Sequence, residues 1–347
     1  MQRIASVLST NGYEVELVGR QRKHSIPLDL MPFKQKRLNC IFDKGKLFYL
    51  EYNLRLFWYL IFTKAAVYGA IDLDTILPCS IVAKFKQSKL VFDAHEYFTE
   101  VPELTGRKFS RYIWQAVANI CIPLVDKAYT VAPQLAILFS KQYGIKFETI
   151  LNVPPYNPPI NENINLQNLP VIFYQGALNE GRGLPELIRA MTQINGTLRI
   201  VGEGDLSELL RLLVKDLKLQ NKVQFLGFIK PIDLSLFTSE ATIACNLLEP
   251  KGLSYQYSLA NKFFDYMHAG IPQLCADFIE YRQINEQFEV AVLCNCHTEE
   301  IANKINNLLV NKKLYNLLKH NCAKAARVYN LQQEEKKIIQ IYQSLFS

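Results

Sequence analysis

The sequence has no apolar run long enough to span a bilayer. The longest candidate, Leu54–Phe62, is interrupted by Arg55 and falls far short of the ~20 residues a spanning helix needs. Residues 1–20 lack the basic-then-apolar layout of a secretory signal. Histidine is scarce, with five in 347 residues, and the eight cysteines at 40, 79, 121, 245, 275, 294, 296 and 322 include no C-x-x-C pair. That spacing argues against a zinc site or a disulfide framework. It predicts free thiols in a reducing cytosol, with Cys245 and Cys275 buried inside apolar runs. No RNA- or DNA-reading motif is present, so nucleic acid is not an expected partner.

Hydrophobic residues make up 49% and charged residues 20% of the chain, as in an ordinary globular protein with a substantial core. The length predicts two domains. The formal charge is +7, and its distribution is uneven: residues 1–153 hold 20 Lys/Arg and 13 Asp/Glu, residues 154–347 hold 19 of each. The excess in the first half points to an anionic partner there, either membrane lipid or a phosphorylated substrate.

Short apolar runs alternate with amphipathic stretches throughout, the pattern of parallel sheets with crossover helices. The first half reads as strands at Glu14–Val18, Ala66–Tyr68, Lys89–Asp93, Lys127–Val131 and Phe147–Leu151. Its predicted helices are Gln2–Ser9, Leu47–Thr63, Thr75–Phe85, Arg111–Cys121 and Pro133–Gln142. Four prolines and four asparagines within residues 152–163 then interrupt any regular element and mark a linker. The second half reads as strands at Val171–Gln175, Leu198–Val201, Val223–Leu226, Thr242–Asn246, Gln273–Ala276 and Val290–Cys294. Helices are predicted at Pro185–Gln193, Leu206–Val214, Leu259–His268, Glu299–Leu309, Lys312–Val328 and Gln332–Phe346. The expected organisation is a first domain over 1–153, a linker at 154–168 and a second domain over 169–329. A final helix in 330–347 is expected to pack back toward the first domain. A doubly wound domain opens on a central strand, whereas this chain opens on a helix. Either an opening strand is missing upstream of Met1, or the first domain is irregular.

Ligands of open α/β sheets bind at the carboxyl ends of strands, so those ends carry the chemistry. Gly176-Ala-Leu-Asn-Glu-Gly-Arg-Gly183 follows the strand Val171–Gln175, and Pro185 opens the next helix. Gly176 permits close backbone approach and Arg182 offers a fork suited to phosphate, although a plain glycine-rich turn with a solvated arginine would look the same. Leu198-Arg-Ile-Val-Gly-Glu-Gly-Asp repeats the design around Gly202, with Asp205 and Glu208 predicted to cap the following helix. In Tyr257-Ser-Leu-Ala-Asn-Lys-Phe-Phe-Asp-Tyr-Met-His-Ala-Gly-Ile-Pro272, Phe263, Phe264 and Met267 make a buried face and Gly270 ends the helix. Lys262 and Asp265, three apart, share another face. They could meet a diphosphate and a ribose diol, or form a surface ion pair worth a few tenths of a kcal/mol.

Taken in this order, these segments resemble the family 4 retaining glycosyltransferases of the two-domain GT-B superfamily. The resemblance spans nearly the whole chain and is strongest over 171–285, where Phe225-Leu-Gly-Phe228 adds a further family feature. It implies two Rossmann-like doubly wound domains facing across a cleft, with no essential metal or cofactor and a nucleotide-diphosphate sugar as donor. It implies that Arg182 and Lys262 bind the donor diphosphate and Asp265 the ribose, beside Gly176 and Gly202. Three positions depart from the pattern: Asp265 stands where glutamate is usual, Tyr257 where an acid is usual, and Ala177 where many relatives have arginine. In the first half, Lys89-Leu-Val-Phe-Asp-Ala-His-Glu resembles the family's strand-end Asp-x-His-Glu, which implies a catalytic His95 facing donor sugar and acceptor. Asp72-Leu-Asp74 matches a metal-binding D-x-D only superficially and reads as a cap for the helix from Thr75.

The implied reaction is transfer of a hexosyl or N-acetylhexosaminyl group to a glycan or lipid-linked acceptor, in cell-envelope polysaccharide synthesis. A degenerate nucleotide-sugar-binding paralogue and a GT-B epimerase are the alternatives. Residues 33–64 hold seven Lys/Arg, two Asp/Glu and nine aromatics. They read either as a surface helix lying on anionic lipid at the inner face of the cytoplasmic membrane, or as an aromatic core helix after a solvated basic loop.

Overall fold

The alternation of apolar runs and amphipathic stretches becomes parallel strands joined by helices in a computed structural model. It describes residues 1–347 apart from 24, 26, 102, 103, 105, 158–168 and 232. Most of the segment predicted as a linker therefore lies outside the described residues. The chain divides into two units, Met1–Leu151 with Gln332–Ser347, and Asn152–Leu331.

The first unit runs α1 (Gln2–Thr10), β1 (Glu16–Gln21), β2 (Lys34–Asn39), α2 (Gly45–Phe62), β3 (Val67–Ile71) and α3 (Leu73–Lys86). It continues through β4 (Lys89–Ala94), α4 (Lys108–Cys121), β5 (Lys127–Thr130), α5 (Pro133–Tyr143) and β6 (Phe147–Thr149). Strands β3-β4-β5-β6 form one parallel sheet in that order, and β1 pairs with β2 in a separate parallel sheet. Strand β2 was not anticipated, because Lys34-Gln-Lys-Arg-Leu-Asn39 has almost no apolar content. It forms by laying its backbone along β1, with Lys34 opposite Glu16. The basic stretch before α2 is thus a strand, neither a loop nor part of the helix.

The second unit runs β7 (Val171–Gln175), α6 (Leu184–Ala190), β8 (Thr197–Val201), α7 (Ser207–Asp216), β9 (Val223–Gly227), α8 (Leu234–Ser239) and β10 (Ile243–Asn246). It then runs α9 (Leu253–Gln256), α10 (Asn261–His268), β11 (Gln273–Ala276), α11 (Ile279–Phe288), β12 (Ala291–Cys294), α12 (Thr298–Val310) and α13 (Lys312–Ala326). The sheet order is β12-β11-β10-β7-β8-β9, all parallel, a doubly wound sheet whose order reverses beside β7. Successive residues of β7 point to opposite faces, Ile172 and Tyr174 into one core cluster and Phe173 into the other. Burial on both faces is what a parallel sheet between helical layers requires. Helices α8, α9 and α11 were not predicted; α11 keeps only Glu280, Tyr281 and Ile284 buried. The last helix, α14 (Leu331–Gln343), belongs from Gln332 onward to the first unit. There Glu334 accepts the Leu151 amide at 3.0 Å, and Tyr342 meets Tyr13 edge-on with centroids 6.2 Å apart.

Two predicted caps are not formed. Asp205 precedes α7 without a capping bond; Leu206 takes the cap position, and Ser207 Oγ accepts the Gly204 amide at 2.9 Å instead. Asp72 sits at the start of α3 without capping it, and its Oδ1 accepts the backbone N–H of His95 at 2.8 Å.

The carboxyl ends of β7 and β8 are locked together. The Gly176 N–H donates to Val201 O and the Gly202 N–H to Gly227 O, with φ of 134° and 130° at the two glycines. A Cβ on Gly202 would overlap the carbonyl oxygen of Gly176. Gly202→Ala is therefore expected to destabilise the second unit by about 3 kcal/mol or more, read as a lowered Tm with unchanged secondary structure by circular dichroism.

Candidate functional site

Five of the six predicted site residues meet at the carboxyl edge of the second unit's sheet. Gly176 directly follows β7, Gly202 directly follows β8, Arg182 lies on the turn before α6, and Lys262 and Asp265 lie on the first two turns of α10. Helix α10 enters from an extended Ala260 and closes at Gly270, φ 68°, where Ile271 N–H reaches back to Tyr266 O. Phe263, Phe264 and Met267 anchor it in the core, which fixes the direction of its other face.

Lys262 is 8% exposed, and its Nζ finds no hydrogen-bond partner among the described residues. It stands 3.9 Å above the ring of Tyr174. The Arg182 guanidinium lies over the Tyr255 ring at 5.1 Å, and its Nε is buried, also without a partner among the described residues. Two cations thus rest on aromatic faces, whose attraction offsets part of their desolvation. Burial, reinforced by the charge of Arg182, holds the Lys262 ammonium well below its usual range, with a smaller opposing effect from Cys245 and Cys275.

The aromatic supports are fixed in turn. Tyr174 Oη donates to Ala177 O at 3.0 Å, and Tyr255 Oη donates to Glu180 O at 3.2 Å. A Cβ on Gly181, where φ is 78°, would strike the Tyr255 ring, so the turn carrying Arg182 closes on that ring only with glycine there. Asp265 Oδ2 accepts from Gln175 Nε2 at 2.9 Å, and Gln175 Oε1 accepts from Thr238 at 3.1 Å, which sets the plane of the carboxylate. Tyr174, Gln175 and Tyr255 escaped sequence reasoning. The signal available for the first two was their position immediately before the strand-end glycine. Helix α6, at seven residues, is too short to add much dipole to Arg182.

A cavity of about 780 Å³ lies alongside, lined among others by Glu186, Glu249, Lys251, Tyr257, Phe278 and Cys296. Tyr257, in the place of the family acid, faces this space. Cys296 also packs against Gly183 of the Arg182 turn.

His95 belongs to the first unit, just past β4. Its Nε2 lies 3.3 Å from Asp93 Oδ1, and its side chain is 23% exposed. All eight cysteines are free, six of them buried, and no cluster of metal-ligating side chains occurs among the described residues. Among the described residues no helix is long and apolar enough to cross a membrane.

A buried lysine without a counter-charge destabilises the protein that carries it. Because folding lowers its pKa, the penalty is complete below the depressed folded value and shrinks as pH rises from there toward the unfolded value near 10.5. Lys262→Met is therefore expected to raise the stability of the ligand-free protein by about 1–3 kcal/mol at pH 7, with the gain over wild type narrowing by pH 10. Chemical denaturation at the two pH values reads it.

No curated protein matches the chain in sequence. The structure is similar to a sucrose-phosphate synthase from Thermosynechococcus elongatus (17% identity, TM-score 0.81, covering 99% of this chain and 92% of that one). It is similar to the Anabaena protein HepE in complex with UDP-glucose (17%, TM-score 0.73, 90% and 86%). It is also similar to WaaG, a glycosyltransferase involved in lipopolysaccharide biosynthesis (14%, TM-score 0.69, 98% and 94%). Residues 159–328 match the family described as glycosyl transferases group 1. This segment, which holds Arg182, Lys262 and Asp265, is thus a group 1 glycosyltransferase domain, and the chain that carries it has the fold of the GT-B glycosyltransferases.

Proposed function

We propose that the chain is a family 4 retaining glycosyltransferase that moves a hexosyl or N-acetylhexosaminyl group from a nucleotide-diphosphate sugar to a glycan or lipid-linked acceptor. The observation that carries this reading is the pair of neighbouring cations, the buried Lys262 and the half-buried Arg182, resting on aromatic faces with no ion pair among the described residues. A diphosphate supplies what they lack. Charge on the leaving nucleotide grows as the glycosidic bond breaks, so fixed cations in a dry site stabilise the transition state more than the ground state. The Asp265 carboxylate, oriented by Gln175, suits the two ribose hydroxyls. HepE, similar in fold, binds UDP-glucose, which supports a donor of this class. With both cations supplied by side chains the transfer needs no metal, and activity is expected to survive EDTA.

Thermal shift with UDP, GDP and their sugars tests the assignment. One nucleotide is expected to raise Tm, and Arg182→Ala and Lys262→Ala should each abolish the shift and lower kcat/KM about 100-fold or more. Wild-type turnover in both variants would remove the assignment. Binding without transfer to any acceptor would identify a degenerate paralogue, and a new sugar formed from donor alone an epimerase.

The acceptor side is proposed to work at an anionic membrane. Helices α2, α3 and α4 expose apolar side chains at helical spacing: Leu50, Leu54, Trp58 and Phe62 (83% exposed), then Ile81 and Phe85, then Phe109, Tyr112 and Ile120. Lys46, Arg55, Lys84, Lys86, Lys108 and Arg111 lie on the same helices, and α4 carries no acid. Apolar stripes mixed with cations suit insertion at a lipid headgroup layer of opposite charge. Flotation with vesicles containing phosphatidylglycerol should retain the protein, weaken with salt, and fall about tenfold for the double variant Trp58→Glu, Phe62→Glu. Equal binding to phosphatidylcholine vesicles, or dimerisation through this face without lipid binding, would overturn it.

A further inference from the structure

Around His95 the first unit has a feature that the donor site does not explain. Asp72 is one of four described non-glycine residues with positive φ, at φ 54° and ψ 172°, a conformation that side-chain-bearing residues avoid. It lies at the carboxyl end of β3, and its own N–H donates to Asp93 O at 2.8 Å. Its carboxylate does not cap α3 and instead accepts the backbone N–H of His95. Beside it, Asp93 is 2% exposed, and neither of its carboxylate oxygens makes a well-formed hydrogen bond among the described residues. The His95 imidazole is the cation-forming group that reaches Asp93, Nε2 to Oδ1 at 3.3 Å. A strained aspartate holding one backbone amide and a buried carboxylate beside the same residue's ring thus flank a single imidazole, with the Tyr129 phenol as the carboxylate's other neighbour.

Resting on the reading of His95 as a catalytic residue, the geometry points to Asp93 and Asp72 as a pair of positioning residues. Asp93 fixes the ring and keeps a proton on Nε2, while Asp72 fixes the backbone that carries it. The ring's other nitrogen, Nδ1, is then the one presented to substrate. A buried carboxylate on one imidazole nitrogen selects the tautomer and stabilises the imidazolium, so the exposed nitrogen acts in a defined protonation state.

The surroundings are mixed in charge. Just before α1 the Met1 sulfur lies 2.9 Å from His95 Nε2, and the Met1 amine and Arg3 are close by; from β5 and α14 the Tyr129 and Tyr342 phenols face Asp93, and Glu96 lies on the same loop. Burial alone would depress the imidazole, and the Met1 amine acts in the same direction. The Asp93 carboxylate beside the ring, with the charge of Asp72, outweighs them and raises it. Burial raises Asp72 as well, against the His95 charge and amide, so the two titrate together.

The test is an NMR titration of the histidine ring nitrogens in the ligand-free protein, with His95 assigned by difference from His95→Gln. In wild type, His95 is expected to titrate above the ordinary histidine value of about 6.5 with Nε2 protonated. Asp93→Asn should lower that midpoint by about one pH unit or more, and Asp72→Asn by less. A wild-type midpoint at or below the ordinary value, or one unmoved by Asp93→Asn, overturns the proposal even if Asp72→Asn fails to fold. Asp72→Gly should be at least as thermally stable as Asp72→Ala, because glycine relieves the positive φ. The reverse order would remove the strain on which the inference stands. Once a donor is identified, Asp93→Asn should lower kcat about tenfold or more, leave the donor KM unchanged and displace one limb of the pH profile. These ring titrations need no turnover, so they stay decisive even where the transferase assignment fails.

Discussion

The second unit is organised around two cations held close together, Lys262 buried and Arg182 half-buried. Like charges repel and each loses hydration on burial, so the arrangement is unfavourable unless something stands in for the missing anion. Tyr174 and Tyr255 supply part of the compensation through their ring faces, and their hydroxyls are pinned to backbone carbonyls so that the rings cannot turn away. The glycines follow from this: Gly181 lets the arginine turn close on Tyr255, while Gly176 and Gly202 let the ends of β7 and β8 abut. Packing, backbone conformation and electrostatics therefore converge on one small volume at the point where the strand order reverses.

The first unit solves a different problem. Its sheet brings β3 and β4 into register so that Ile71 lies opposite Asp93, and the residues just beyond these ends form a polar group around one imidazole. Helix α3 packs on β3 and β4 while α2 and α4 pack against α3, and all three leave large apolar side chains outward. A monomer in water has no use for such a surface. The basic excess of the first half of the sequence is concentrated in part along these same helices.

Much of this organisation was legible in the sequence. Val171–Gln175 and Gln273–Ala276 were read with their observed bounds, because continuous apolar runs flanked by glycine or proline leave little choice. The spacing of Lys262, Phe263, Phe264, Asp265 and Met267 placed charge and core on separate faces of α10. What the sequence concealed was mostly long-range. Strand β2 exists because β1 offers an edge, not because its own residues favour extension. Tyr255 matters through a contact with a turn more than seventy residues away, and Asp72 resembles an ordinary helix cap until its φ and the His95 amide are known. Gln175 looked like the polar end of a strand, and only Asp265 and Thr238 on either side give it a role.

The unmatched ammonium of Lys262 has a consequence for the life of the protein outside any single turnover. Whatever anion neutralises it binds the native state alone, so the folded population rises with the supply of that anion. When the supply falls, the second unit opens more often and meets proteases and chaperones sooner. An anion that pairs with Lys262 would thus act on how long the folded protein persists as well as on what the site holds.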